Sequence, residues 1–230
     1  MLERQEADRD PSLTTHHQVF FEDARALNSI ANTAVDFIVT SPPYPMVKMW
    51  DQAFSSMHPD IGIALNANNG PIAYELMHQE LDHVWAACHR VLKDGAIICI
   101  NIGDAVRTLD ENFQLYANHA RIIQTMTHLG FSALPDILWR KPTNAPNKFM
   151  GSGMLPSGAY VTYEHEYILV FRKGNKRLFN TPEAKQNRRH SAYFWEERNL
   201  WFSDLWTDLK GTTQELADPI SRSRSAAYPF

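Results

Sequence analysis

Two mainly apolar runs, VDFIVT (35–40) and AIICINIG (96–103), do most to limit what this chain can fold into. Runs of this length bounded by polar turns read as strands buried inside a parallel sheet. Between them lies IAYELMHQELDHVWAACHRVLKDG (72–95), where Leu76, Leu81, Val84, Trp85, Cys88, Val91 and Leu92 recur near the helical period. The spacing predicts a helix stopped by Lys93-Asp94-Gly95. A second amphipathic helix is predicted over ENFQLYANHARIIQTMTHLG (111–130), and further strands over DILWRK (136–141) and EYILVFRK (166–173). Upstream, QVFF (18–21) reads as a short strand, followed by ARALNSIAN as a helix with Leu27 and Ile30 inward. Alternating strands and helices imply an α/β fold with a parallel sheet, whose ligands sit beyond the carboxyl ends of the strands.

The remaining sequence sets boundaries. A chain of 230 residues, 44% hydrophobic with six tryptophans, suits one large domain, or one domain with a lobe, around a real core. No apolar run approaches the roughly 20 residues that a bilayer requires, and the first fifteen residues lack the apolar stretch of a signal peptide, so a cytoplasmic protein without a membrane partner is expected. Cys88 and Cys99 are the two cysteines and are expected in the core, without a disulfide framework. Residues 1–16 read as a flexible polar arm and 17–174 as the main body. Within that body, 51–71 form an insertion or lid and 142–160 a loop rich in Pro, Gly, Asn and Ser. Residues 175–230 read as an irregular basic and aromatic segment. Charge is uneven: residues 1–138 hold 8 Lys+Arg against 17 Asp+Glu, and the rest hold 14 against 9. That asymmetry hints at an acidic partner for the carboxyl-terminal part.

The first apolar run ends in Ser41-Pro42-Pro43-Tyr44. Proline fixes φ and has no N–H, so two in succession make a stiff loop whose carbonyls lack neighbouring amide partners. The Ser41 oxygen and the Pro42 carbonyl can converge on one amino group, and Tyr44 offers a flat ring beside them. Such a loop suits a planar ring bearing an amine, such as cytosine or adenine. It is equally compatible with an ordinary Pro-rich turn.

The segment FFEDARALNSIANTAVDFIVTSPPYPMVKMWD (20–51) resembles the catalytic region of the DNA amino-methyltransferases, which methylate cytosine at N4 or adenine at N6. HRVLKDGAIICINIGD (89–104), DILWRKPTNAPNKF (136–149) and EHEYILVFRKG (164–174) resemble that family's later blocks, in the same order. The resemblance implies a class I, Rossmann-like methyltransferase fold with a mixed, mostly parallel sheet. It implies a flipped base in double-stranded DNA, methylated from S-adenosylmethionine, with Ser41, Pro42, Pro43 and Tyr44 as the catalytic loop. Serine at the first position of the motif favours cytosine, with adenine-N6 transfer and a non-catalytic DNA-binding subunit as alternatives.

The family's glycine-rich cofactor turn has no counterpart here: Gly151-Ser-Gly153 precedes no helix, and Ile102-Gly103-Asp104 matches a later block. The resemblance implies a permuted order, catalytic half first, with the family's first two strands absent. RSRSAAYPF (222–230) resembles the lead-in to the cofactor half. QVFF would be the third strand and VDFIVT the fourth, leaving VDFIVT with an apolar edge. A fragment, or one subunit of a split enzyme whose second chain supplies the cofactor half, is expected, and the chain alone should not methylate. Asp23 matches the acidic position near the cofactor adenine and can equally cap a helix. Lys141, Lys148, Arg188 and Arg189 are candidate DNA contacts, aided by Tyr193, Phe194 and Trp195. Trp50 could line the base pocket or the core. His165 and Glu166 read as structural, and the scattered histidines show no metal-ligand spacing.

Overall fold

A computed structural model describes residues 15–141, 161 and 163–209. The first strand, β1 (Val35–Thr40), leads through the proline loop and a short 3-10 turn into helices α1 (Asp51–Met57), α2 (Pro59–Asn66) and α3 (Gly70–Val91). There follow β2 (Leu92–Ile102), the hairpin β3 (Ala105–Leu109) and β4 (Asn112–Tyr116), helix α4 (Asn118–His128), and strands β5 (Phe131–Ala133), β6 (Ile137–Arg140) and β7 (His165–Lys173). Helices α5 (Pro182–His190) and α6 (Trp195–Trp201) precede a two-residue strand, β8 (Leu205–Trp206).

The main sheet runs β1-β2-β7-β6-β8, with β5 also paired to β7. The expected α/β class and mixed sheet are present. The parallel majority is not found among the described strands: β1–β2 and β6–β8 are parallel, whereas β2–β7, β5–β7 and β6–β7 are antiparallel. Along β2 and β7 the side chains alternate. Ile98, Ile100, Ile102, Leu169 and Phe171 are buried on one face, in a core with Trp85, Met77, Leu81, Ile122 and Met126 from α3 and α4. On the other face, register aligns Phe37 with Ile97 and Arg172, and Val39 with Cys99 and Val170. That face is poorly covered: Phe37 is 54% and Val39 64% exposed. β1 is a sheet edge, as the sequence led one to expect.

Several expectations need correction. QVFF forms no strand, and Val19 and Phe21 are exposed. ARALNSIAN is a series of turns rather than a helix: Leu27 sits at φ 46 and Thr33 at φ 52, which breaks any helical run. Arg90 replaces the missing helical bonds by donating to the carbonyls of Ala26, Leu27 and Ile30. Residues 51–71, expected to be an insertion or lid, are largely helical, and α1 and α2 bury Phe54 and Ile61 completely. Helix α3 ends at Val91, and Lys93-Asp94-Gly95 is an irregularity in β2, where register jumps from Val35↔Leu92 to Phe37↔Ile97. Gly95 stands at φ +77 there, a conformation that side chains other than glycine resist. The helix expected over 111–130 begins only at Asn118. Its first third is strand β4, joined to β3 by Asp110 and Glu111, both at positive φ. Two positive-φ residues make the tight hairpin turn whose usual Asn-Gly signature is absent. The segment after 174 is helical in part rather than irregular throughout.

Removing the fully buried Trp85 side chain (Trp85→Ala) should cost about 3–5 kcal/mol in urea unfolding. Phe37→Ser, on the open face, should change stability far less and raise solubility.

Candidate active site

The site begins with the parallel pairing of Thr40 to Ile100. It brings Ser41, just past β1, beside Asn101, and the Ser41 hydroxyl donates to the Asn101 carbonyl at 3.3 Å. A hydroxyl that has spent its proton keeps its lone pairs for accepting. Among the described residues, no hydrogen bond ends on the Pro42 carbonyl.

Tyr44 is 8% exposed, so its ring is a wall and not an open platform. The phenol donates to Glu166 Oε2 at 3.1 Å and accepts from Asn101 Nδ2 at 2.9 Å. Asn101 Nδ2 also reaches Glu166 Oε2 at 2.9 Å, and Lys141 Nζ lies 2.7 Å from the same oxygen. The ring rests against Gly103: a Cβ there would meet Tyr44 Cε2 at 3.0 Å and Glu166 Cγ at 3.3 Å. Tyr44, Gly103, Asp104, Lys141, Tyr163, Glu164, His165 and Glu166 line an open cavity of about 170 Å³.

A buried polar bridge holds the loop behind Tyr44. Asn118, at the start of α4, donates to the carbonyls of Pro45 at 3.0 Å and Gly103 at 2.9 Å. Its oxygen contacts His78 Nε2 at 3.0 Å. Burial lowers the His78 pKa to about 4, so the ring is neutral near pH 7 and Nε2 is assigned the proton. Asp104 accepts from the His119 backbone at 3.0 Å and lies 2.8 Å from its Nδ1, while the His119 ring stacks on Tyr167. Burial and the Asp104 charge push the Tyr163 and Tyr167 phenols up, keeping them protonated.

The structure thus brings Tyr44 and Lys141 together through Glu166, and Ser41 to Asn101, while Ser41, Pro42 and Pro43 do not line the cavity. It sets Lys141 in the cavity wall, paired with Glu166, instead of on an open phosphate-binding surface. Asp23 caps no helix, since only turns follow it. Its half-exposed carboxylate pairs with Arg25, which holds its pKa down to about 2. Arg188 and Arg189 are exposed on α5, which buries none of its residues. Lys148, the 142–160 loop and the 222–230 segment are outside the described residues. Trp50 is half-buried against the core. Burial raises both cysteine pKa values, which suits core residues. Among the described residues, no group of His, Cys, Asp or Glu is arranged to hold a metal ion, and no helix is long and apolar enough to cross a membrane.

Glu166 has the structural hydrogen-bonding role expected of it, accepting from Tyr44, Asn101 and Lys141, whereas Asn101, Gly103, His78 and Asn118 were missed. Asn101 had a signal, being the one amide in an apolar strand next to the predicted ligand end. His78 and Asn118 had none, because their partners are distant in sequence.

The profile of the N6 and N4 DNA methylases matches residues 35–226. The chain belongs to the DNA methylase family. It is 51% identical over 219 residues to the type II methyltransferase M.MthZI of Methanothermobacter thermautotrophicus, covering 95% of this chain and 62% of that protein. It is 43% identical to the type II methyltransferase M.MjaI of Methanocaldococcus jannaschii, over 94% of this chain and 74% of that protein. Among solved structures, TTHA0409 of Thermus thermophilus in complex with S-adenosyl-L-methionine superposes with a TM-score of 0.60 at 29% identity, over 81% of this chain and 66% of that one. The chain therefore spans just under two thirds of M.MthZI and of TTHA0409.

Two outcomes test this site. Asn118→Ala leaves two buried carbonyls unpaired and should cost about 1–3 kcal/mol by denaturant unfolding. His78 has a folded pKa below its ordinary value, so the unfolded chain binds more protons as pH falls below about 6.5. Stability should fall by a few kcal/mol between about pH 6.5 and pH 4. In His78→Gln that share of the slope should vanish.

Proposed function

We propose that this chain is the catalytic half of a DNA amino-methyltransferase acting on the N4 amine of a flipped cytosine. The observation that carries this reading is the oriented Ser41 hydroxyl. With its proton directed to the Asn101 carbonyl at 3.3 Å, its lone pairs can accept one amino hydrogen while the Pro42 carbonyl accepts the other. Holding both hydrogens points the nitrogen lone pair out of the ring plane and favours the positive charge that grows on nitrogen. Tyr44 bounds the base, and a base must leave its stack to enter so small a cavity. S-adenosylmethionine, bound in TTHA0409, would supply a methyl group on a positively charged sulfur.

The described residues offer the donor only the Asp23 carboxylate and no glycine-rich turn after a strand. We assign the donor's cradle to a further glycine-rich half, on a second chain or in continuation with this one. The β1 edge and the face bearing Phe37 and Val39 are the apolar surface such a half would cover. Double-stranded DNA would be tracked by Arg188 and Arg189, exposed on α5, by Lys148, and by the exposed Tyr193, Phe194 and Trp195 that follow in sequence.

The test is calorimetric titration of the chain with S-adenosylmethionine, followed by a methylation assay with a glycine-rich half added, its product read by nucleoside mass spectrometry. No donor binding by the chain alone, and N4-methylcytosine on reconstitution, is expected. Micromolar binding alone would overturn the missing-half assignment, and N6-methyladenine would overturn the cytosine assignment. Tyr44→Ala should remove the wall that bounds the base and, with it, nearly all transfer. Arg188→Ala with Arg189→Ala should lower the salt slope of DNA binding by about 2.

A further inference from the structure

The cavity beside Tyr44 contains a fixed cation that the amine-holding loop does not use. Lys141 Nζ lies 2.7 Å from Glu166 Oε2 and 4.2 Å from the centre of the Trp139 ring. Its backbone N–H donates to the Glu164 carbonyl at 2.7 Å, and its side chain is only 28% exposed. The β6–β7 register aligns Trp139 with Glu166, so the ring and the carboxylate grip the ammonium from neighbouring strands. The hydrogen bonds reaching Glu166 from Tyr44, Asn101 and Lys141 all end on Oε2, which ties the ammonium to the phenol of the base-bounding ring. A recessed, doubly gripped ammonium is badly placed to follow a phosphate backbone. With three donors and one of them on Glu166, it retains hydrogens for a guest in the cavity.

We propose that Lys141 is a specificity residue that reads the ring edge of the target cytosine; this rests on the base-pocket assignment above. With the exocyclic amine at Ser41 and Pro42, the adjacent edge of cytosine presents two acceptors in succession, N3 and the O2 carbonyl. The corresponding edge of adenine presents N1 and then a C–H. A fixed ammonium therefore gains two acceptors from cytosine and one from adenine. Lys141 and Glu166 line the cavity together with Tyr44, the ring that follows the Ser41-Pro42 loop directly. Glu166 holds the ammonium in register with Tyr44 and acts through it.

Fluorescence anisotropy of the full chain with short single-stranded oligonucleotides decides the matter, because single strands carry no unpairing cost. The probes are oligodeoxycytidine, oligodeoxyadenosine and an abasic backbone of equal length, each measured across a salt series. The wild-type chain should bind the cytidine probe roughly tenfold more tightly than the abasic one, the scale of one good two-point base contact. Lys141→Met should lose that increment and leave abasic binding and its salt slope unchanged. Lys141→Arg, which keeps the charge but is too broad for the recess, should lose it as well, with thermal melts establishing that both variants fold. If Lys141→Met weakens all three probes alike and lowers the salt slope by about 1, with Lys141→Arg restoring both, the lysine is a phosphate contact and the proposal is overturned. If the wild-type chain binds cytidine and abasic probes equally, the base-pocket assignment itself fails.

Discussion

The geometry of the candidate site depends on the register between β1 and β2. Because Thr40 pairs with Ile100 in parallel, both strands deliver their next residues, Ser41 and Asn101, to the same end of the sheet. The Ser41 hydroxyl bond, the Asn101 bridge to Tyr44 and Glu166, and the seat of Tyr44 on Gly103 all follow from that alignment. A slip of one residue would turn Asn101 to the opposite face and replace it with a buried isoleucine. The irregularity at Lys93-Asp94-Gly95 helps to set the register, taking up extra residues of β2 before the continuous pairing begins at Phe37.

Around this alignment the molecule divides its polar chemistry between the two faces of the sheet. On the helix-covered side, neutral His78 and Asn118 form a buried pair that holds the Pro45 and Gly103 carbonyls. Groups of this kind are costly to leave unpaired, so they fix the path of the loop once the helices pack. On the open side, Glu166 gathers a phenol, an amide and an ammonium on one oxygen. Phe37, Val39, Ile97 and Cys99 occupy the same face, together with Arg172. Family membership and the position of the cavity, at the ends of the strands, agree with the rule for ligand sites in open sheets.

Much of this was legible in the order of residues. The apolar runs of β1, β2 and β7 and the periodicity of α3 are local patterns, and solvent exclusion acts on them much as it would in any α/β domain. The proline pair after β1 restricts the backbone by itself, wherever the segment lies. Legibility failed where local pattern and tertiary contact part. Asp110-Glu111 adopts positive φ without the glycine that normally announces such a turn, so β4 passed for the start of a helix. ARALNSIAN has helical composition, but Arg90 draws its carbonyls into turns from a point far along the chain. Phe54 and Ile61 are too widely spaced by polar residues to mark α1 and α2 as core elements.

Residue order alone was enough for the α/β class, the proline-stiffened loop at a strand end, the apolar edge of β1 and the family, because each depends on residues that are neighbours in the chain. It took the folded chain to bring Lys141 and Glu166 against Tyr44, to join Asn101 to them and to secure the loop from behind with Asn118. These residues are separated by tens of positions, and their proximity arises from strand register and helix packing, which no local pattern encodes.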